Sequence, residues 1–91
     1  MRLYDVDIDP DREDHIARHG VTPDEVREVI SGAFLVERTR WERMLLIGQT
    51  EAGRYLALVV APNEEGGYSL ITARDADDSE RRRYRRRWKG R

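Results

Sequence analysis

Five side chains in this sequence have the types that metal-free phosphate chemistry requires. Such chemistry needs cations that stabilise a phosphate and groups that accept and donate a proton near the reacting oxygens. His19 is the candidate general acid or base, because histidine is the side-chain type that gains or loses a proton near neutral pH. Arg43, Arg54 and Arg74 are candidates for one cationic patch, and Tyr84 could donate a proton or position a phosphate.

Ordinary structural roles for these residues stay open at this level. His19 precedes a glycine that ends a helix, where a histidine commonly caps the preceding carbonyls. Arg43 could snorkel or pair with a carboxylate such as Glu80, and Arg74 could pair with the aspartates that follow it. Tyr84 could simply pack its ring on a sheet. Convergence of these side chains is therefore a hypothesis for the structure to test.

Motifs for cofactor or metal enzymes are missing from the sequence. It has no Walker loop, no Rossmann glycine fingerprint, no HExxH and no GxSxG. His15 and His19 are four residues apart, a spacing that can bind a metal, but no cysteine or third histidine completes the set. We therefore expect neither a metal nor a cofactor. The lack of cysteine also excludes a disulfide framework and a cysteine nucleophile.

The first 31 residues carry the signals of two helices after a short strand. Leu3, Val6 and Ile8 alternate imperfectly with polar residues, which predicts a weak first strand over 2–8. Asp9 before Pro10 predicts a helix to about residue 18, because aspartate caps free amides and proline is tolerated at the first helical position. A glycine stop at 20 and the Thr-Pro-Asp-Glu restart at 22–25 predict a second helix.

The remaining residues predict strands and a last helix. The strand candidates are 34–37, 41–49, 54–61 and 68–73, joined in part by hairpin turns at 51–53 and 63–67. Residues 77–79 precede Glu80 and predict a helix to about Trp88, with Glu80 in a first turn that favours acidic residues. The expected class is α+β, with helices, an antiparallel meander of three or four strands and a C-terminal helix, in one domain over 1–91.

Charge is segregated along the chain. Nine of the 17 basic and all 18 acidic residues lie in 1–80, which gives that part a formal charge of −9; the other eight basic residues give 81–91 a charge of +8. The arginines of RRRYRRRWKGR repel one another at i,i+4, so an anion such as a phosphate backbone is expected to relieve them. The alternative is internal pairing with the acidic part, notably with Asp5, Asp7, Asp9 and Asp11.

No segment predicts a membrane protein or an exported one. The longest apolar stretch, 55–61, is far shorter than the roughly 20 residues that a bilayer requires, and the start has no apolar run like a signal peptide. We expect a cytoplasmic protein without a membrane partner.

Three segments, taken together, resemble the BrnT toxins. They are ARHGVTPDEV, ERMLLIGQTEAGRYLALVV and YSLITARDADDSERRRY, and the match spans about residues 15–85. The shared features are a basic-His-Gly step, an arginine-bearing strand that runs into an Ile-Gly step, an Ala-Arg strand end and a helix with Glu and Tyr. Here these positions are Arg18, His19, Gly20, Glu42, Arg43, Ile47, Gly48, Ala73, Arg74, Glu80 and Tyr84.

The resemblance implies a RelE-like α+β fold and RNA cleavage that inhibits translation. It also implies a BrnA-like antitoxin partner with a ribbon-helix-helix part that binds DNA. Cleavage of the RelE kind activates the RNA 2′-hydroxyl against the adjacent phosphate and leaves a cyclic phosphate.

On this hypothesis each matched position has a role. His19 serves acid–base catalysis, Arg43 and Arg74 stabilise the phosphorane charge, Glu80 orients an arginine, and Tyr84 orients or protonates the RNA. The expected RNA-binding residues are Arg54, Arg81, Arg83, Arg85 and Arg87.

The amino-terminal segment departs from the family pattern. Asp11 stands near a position where the family has lysine, and His15 replaces an asparagine. A first strand this acidic is unusual for an RNA-binding surface, so this member is weakened, reads a different substrate or hides its first strand from RNA.

Two other classes of function remain open. A non-catalytic nucleic-acid or ribosome-binding module would explain the arginine helix and would bind in a salt-sensitive manner without cleavage. A protein-binding scaffold would use the +8 tail to dock an acidic partner and would have no RNA affinity.

Overall fold

The computed structural model describes residues 6–89 and has the predicted α+β architecture. The elements follow the order β1 (Val6–Asp7), α1 (Pro10–Ala17), α2 (Pro23–Ser31), β2 (Phe34–Arg38), β3 (Met44–Gln49), β4 (Tyr55–Pro62), β5 (Tyr68–Asp75) and α3 (Asp78–Lys89). Of the weak first strand predicted over 2–8, residues 6–7 are strand β1; residues 2–5, with Leu3 and Asp5, lie outside the described part.

The strands form one sheet in the order β1-β5-β4-β3-β2. Strands β2 to β5 pair antiparallel with their neighbours in sequence, which confirms the meander. β1 adds a fifth strand at the edge by pairing in parallel with β5. The register shifts between Val59 and Val60, so Ile71 of β5 is an extra residue there, and its carbonyl accepts a hydrogen bond from Arg12 of α1.

Local capping sets the ends of the first two helices, although not in the way predicted for α1. Asp9 stands at the N-cap position of α1 but makes no side-chain cap bond, so that part of the prediction is wrong. Gly20, with φ of 71°, ends the turn: its N–H binds Ala17 O, and Val21 N–H binds Ile16 O, as in a Schellman motif. The capping box of α2 is present, with Thr22 and Glu25 exchanging their hydrogen bonds.

Two apolar cores lie on opposite faces of the sheet. On the first, which we call the aliphatic face, α1 and α2 pack against the sheet, and the buried side chains include Ile16, Val26, Val29, Leu46, Leu58 and Leu70. On the second, the α3 face, the buried side chains are Leu45, Ile47, Ala57, Ala76 and Tyr84. The division follows from strand alternation, since Leu45 and Leu46 of β3 must point to opposite sides.

Gly48 allows α2 to lie directly on the backbone of β3. A Cβ atom at this position would stand 2.9 Å from Val29 Cγ1 and 3.3 Å from Ala33 O. Both distances are too short for an ordinary contact, so a side chain here would push α2 away from the sheet. The close approach is the physical use of the Ile-Gly step in β3.

The strand predicted over 41–49 is wrong at its start, because β3 begins at Met44. Trp41 and Glu42 both have positive φ, of 56° and 61°, as at the central positions of a type I′ turn. Arg43 N–H binds Arg40 O, and Thr39 N–H binds Arg43 O, which closes the connection. Neither turn residue is a glycine or asparagine, so the sequence contains no turn signal there. The apolar–polar alternation that begins at Trp41 therefore predicts part of the strand.

None of the helices within residues 6–89 combines the length and the apolar character that a bilayer-spanning helix needs. The longest of them, α3, has 12 residues and is rich in arginine.

Candidate functional site

A fixed and accessible cation lies where β5 gives way to α3. Arg74 donates from Nη1 to Glu80 Oε1 at 2.8 Å and from Nη2 to Glu80 Oε2 at 2.9 Å. The Glu80 side chain is only 6% exposed, whereas that of Arg74 is 40% exposed. A bidentate contact of this kind holds the guanidinium in one orientation. Arg74 therefore presents an oriented positive charge to the solvent.

Glu80 is held from its other side by the start of α3. Asp77 N–H donates to Glu80 Oε1 at 2.9 Å, and Glu80 N–H donates to Asp77 Oδ1 at 2.8 Å, which together form a capping box. The hydrogen bond from Arg74 keeps the pKa of Glu80 below its usual range, although burial opposes this. The same contact raises the pKa of Arg74. Both members of the pair are thus charged at neutral pH.

His19 lies in the loop between α1 and α2 and is exposed. Its N–H binds Ile16 O within the helix-ending turn. The ring centroid of His19 is 5.4 Å from that of His15, which contacts Thr72 Oγ1 of β5 at 3.0 Å through its Nε2 atom. Only the backbone N–H of His19 caps a helix carbonyl; within residues 6–89 its side chain makes no hydrogen bond to one, so the side-chain capping predicted as the alternative is not observed.

Arg54 connects the His19 loop to the end of β5. Its Nη1 donates to Gly20 O at 2.7 Å and to Glu25 at 3.2 Å, and its Nη2 donates to His19 O at 3.4 Å. Its Nε donates to Asp75 Oδ1 at 2.8 Å, which lowers the pKa of Asp75 and raises that of Arg54. Arg54 is therefore held by ion pairs within the protein. The guanidinium fastens the loop to the strand.

The arginines of α3 do not form one uniform surface. Arg81 pairs with Asp78, and Arg83 donates from Nε to Glu37 Oε2 of β2 at 2.7 Å. Both carboxylates belong to the acidic part of the chain, so internal pairing is confirmed for these two arginines, although with other partners than Asp7, Asp9 and Asp11. Asp5 lies outside the described residues. These two arginines are therefore partly neutralised within the protein.

The outer arginines of α3 meet aromatic rings or solvent. Arg85 Cζ lies 5.9 Å from the centroid of the Tyr55 ring, and Arg87 Cζ lies 5.6 Å from that of Trp88. Arg82 and Arg86 are exposed and make no hydrogen bond or ion pair within residues 6–89. The open positive charge of the helix is thus concentrated on these four positions, of which the sequence analysis singled out only Arg85 and Arg87.

Two predicted site residues are placed differently from the expectation. Arg43 lies in the β2–β3 connection and not on a strand face with Trp41. Ile47 of β3 is aligned with Arg74 across the sheet, through Ala57 of β4. Arg43 precedes Ile47 by four residues, so its backbone is about 13 Å from that position along the strand direction. Tyr84 packs its ring edge-to-face on Tyr55, at 5.6 Å, and donates its hydroxyl proton to Ala33 O at 3.2 Å.

The environment of Tyr84 keeps its hydroxyl protonated. Burial, with a smaller contribution from Tyr55, raises the pKa of Tyr84. Its position matches the packing role that the sequence analysis gave as the alternative.

Several residues of this region escaped the sequence analysis. Asp75 was considered only as a partner of Arg74, and Glu37 and Tyr55 were not considered. Tyr55 could have been found from the hairpin turn predicted at 51–53. That turn pairs Tyr55 with Gln49, at the end of the hairpin that lies near α3. Within residues 6–89, no group of three or more His, Cys, Asp or Glu side chains has a geometry suited to a metal ion.

Comparison with solved structures gives a clear match in fold. The crystal structure of the Brucella abortus ribonuclease toxin BrnT, determined at 1.1 Å resolution, superposes with a TM-score of 0.62 and 26% sequence identity. The match covers 80% of this chain and 96% of that chain. No protein-family model and no curated protein matches the sequence. The chain is therefore similar to the BrnT toxin in its fold, over most of its length.

Proposed function

We propose that the chain is the toxin of a type II toxin–antitoxin pair and cleaves RNA without a metal ion, thereby inhibiting translation in the cytoplasm. The likeness to a ribonuclease toxin supports the reaction class. The observation that carries the proposal is the Arg74–Glu80 pair, which holds a cation in place by two short contacts and leaves it 40% exposed. An oriented cation of this kind stabilises charge that develops on a phosphate without having to reorganise.

The proposed reaction is an attack of the RNA 2′-hydroxyl oxygen on the adjacent phosphorus. His19 takes the 2′ proton as a general base, and the bond from phosphorus to the 5′ oxygen of the next nucleotide breaks. That oxygen takes a proton from the histidinium or from water. Arg74 neutralises the extra charge on the non-bridging oxygens. The products are a 2′,3′-cyclic phosphate and a free 5′-hydroxyl.

Three residues have different roles in this proposal from those that the sequence suggested. Arg54 is a positioning residue, since its hydrogen bonds join the His19 loop to Asp75, the neighbour of Arg74. Arg43 is left out because it lies about 13 Å away along the sheet. Tyr84 supports the α3 face through its ring.

The proposed partners are RNA and an antitoxin of the BrnA kind. The exposed arginines of α3 supply the positive surface that an RNA backbone requires. The same surface suits the alternative of a non-catalytic nucleic-acid-binding module. Only turnover separates the two.

The test incubates purified protein with total RNA in EDTA and maps the ends that are produced. We expect metal-independent cuts with cyclic phosphate ends. His19→Ala should lower the rate by roughly 10²- to 10⁴-fold, the range for loss of a general acid–base group. His15→Ala is the matched control, because its ring lies 5.4 Å from that of His19 but contacts Thr72.

Arg74 requires a second design, because Arg74→Ala leaves Glu80 buried without its cation. The double variant Arg74→Gln with Glu80→Gln removes both charges together and avoids that penalty. We expect a loss of about 10²- to 10³-fold, as for other preorganised donors. The double variant leaves the net charge unchanged, so Arg27→Gln, on the exposed side of α2, is the control for the loss of one guanidinium elsewhere on the surface. Bound but intact RNA would instead support the binding module, and unchanged cleavage by a folded His19→Ala protein would reject the mechanism.

A further inference from the structure

A small recess lies between the end of the β3–β4 hairpin and the outer part of α3. Its volume is about 240 Å³, and it is lined by Gln49, Tyr55, Tyr84, Arg85 and Trp88. Pockets for drug-sized ligands usually measure roughly 300–1,000 Å³. The recess is therefore suited to one small planar group.

Three aromatic rings form its walls. The Tyr55 and Tyr84 rings meet edge-to-face at an interplanar angle of 78°, and Tyr84 and Trp88 are tilted by 51° at 6.4 Å. Neither of these two contacts is a parallel stack, and the Trp88 residue is 36% exposed. A planar ligand can therefore stack at the open side of the recess.

Cations and one amide border the same rings. Arg85 lies over Tyr55 and Arg87 over Trp88, at 5.9 and 5.6 Å from the ring centroids. Gln49 donates from Nε2 to Gly53 O at 3.1 Å, which leaves its Oε1 as an acceptor for a ligand. Aromatic platforms flanked by guanidinium groups are typical of sites for single-stranded nucleic acid.

We propose that the recess binds one unpaired base of an RNA strand, stacked on Trp88, with Arg85 on the flanking phosphate. The inference rests on the proposed action on RNA. Tyr55 is two residues from Ala57, the cross-strand partner of Arg74, or about 7 Å along β4. A base in the recess therefore belongs to a nucleotide close to the phosphate that Arg74 would hold.

The test measures binding separately from cleavage. The probe is a fluorescein-labelled, 2′-O-methylated oligouridine, which lacks the attacking hydroxyl, and binding is followed by fluorescence polarisation. Trp88→Ala should weaken binding by about 5- to 150-fold, the range for stacking of one base. Trp41→Ala is the matched control, because Trp41 is 78% exposed near the opposite end of β3. We expect less than a twofold change for it.

Abasic probes distinguish stacking from charge attraction. Replacing one uridine at a time by an abasic unit should weaken binding to the wild type at one position and leave binding to Trp88→Ala nearly unchanged there. If Trp88→Ala weakens a fully abasic probe to the same degree, the effect is electrostatic and the recess is not a base site. Circular dichroism confirms that the variants are folded.

Failure of the recess and failure of the ribonuclease proposal give different results. If the wild type cleaves native RNA but Trp88→Ala binds the probe with unaltered affinity, only the base-binding role of the recess is wrong. If the abasic probes show base binding that depends on Trp88 but the protein cleaves no RNA, the base-binding role of the recess stands and the ribonuclease proposal is wrong. A wild-type protein that neither binds nor cuts RNA would reject both.

Discussion

The two faces of the sheet are built from different kinds of interaction. On the aliphatic face, Val26 and Val29 of α2 and Leu46 of β3 are fully buried. The α3 face has a smaller apolar core and adds ion pairs, such as that of Arg74 with Glu80, at its border. Burial of aliphatic surface is non-directional and mainly stabilises, whereas hydrogen-bonded charges fix orientation.

This difference explains where the candidate chemistry lies. A cation that must act on a ligand has to be held firmly and yet reach the solvent, which a sealed aliphatic core does not permit. The α3 face meets both conditions because Glu80 is buried and Arg74 is not. We infer that the aliphatic face supplies most of the stability and the α3 face most of the function.

The largest effect that tests this division is expected from two neighbours in β3. Leu46 points to the aliphatic face and is fully buried, and Leu45 points to the α3 face and is 9% exposed. Leu46→Ala should cost about 3–5 kcal/mol of unfolding free energy, the upper part of the range for buried leucine. Leu45→Ala should cost about 2 kcal/mol, because its smaller core can relax toward solvent.

Urea denaturation followed by circular dichroism measures both losses with the same unfolding baseline. Equal losses, or a larger loss for Leu45→Ala, would mean that the two faces share the stability. The assignment of stability to the aliphatic face would then be wrong.

A smaller effect, and one that depends on pH, is expected from Glu80→Gln. Because the pKa of Glu80 is lowered in the folded state, its ion pair stabilises the protein above the ordinary carboxyl pKa, and this contribution is lost as the pH falls through the lowered value. At neutral pH the variant should be less stable by about 1–2 kcal/mol, since Arg74 is partly screened by solvent. The two stability curves should converge below about pH 4.

The control for this experiment is Glu37→Gln. Glu37 and Arg83 form a pair whose side chains are 31% and 36% exposed. Exposed pairs contribute less than about 1 kcal/mol, so the loss at neutral pH should be smaller than that of Glu80→Gln. A difference between Glu80→Gln and wild type that stays constant down to pH 3 would contradict the ion-pair explanation.

Much of the fold was predictable because its signals are local. Gly20 and the Thr22–Glu25 capping box mark helix ends within a few residues, and the structure contains both. The turn around Trp41 was not predictable, because its two left-handed positions are occupied by Trp41 and Glu42 and not by glycine or asparagine.

The candidate site was predictable only where its partners are close in sequence. Glu80 and Arg74 are six residues apart, and their contact follows from a strand that runs directly into a helix. Arg54 reaches Gly20 over a separation of 34 residues, which requires knowing how α1 and the β3–β4 hairpin pack. Alternation within one strand gives no information on such distant contacts.

The smallest effect is expected from Tyr84→Phe, which separates a structural hydroxyl from a catalytic one. The hydroxyl donates to Ala33 O, and because Ala33 is exposed its carbonyl can bind water instead. The variant should therefore lose about 0.5–1 kcal/mol of unfolding free energy. Cleavage of RNA should stay within about twofold of wild type, since the ring that lines the α3 face is retained. A rate loss of tenfold or more, in a protein whose urea midpoint is nearly unchanged, would show that the Tyr84 hydroxyl takes part in cleavage. The active site would then include this part of α3.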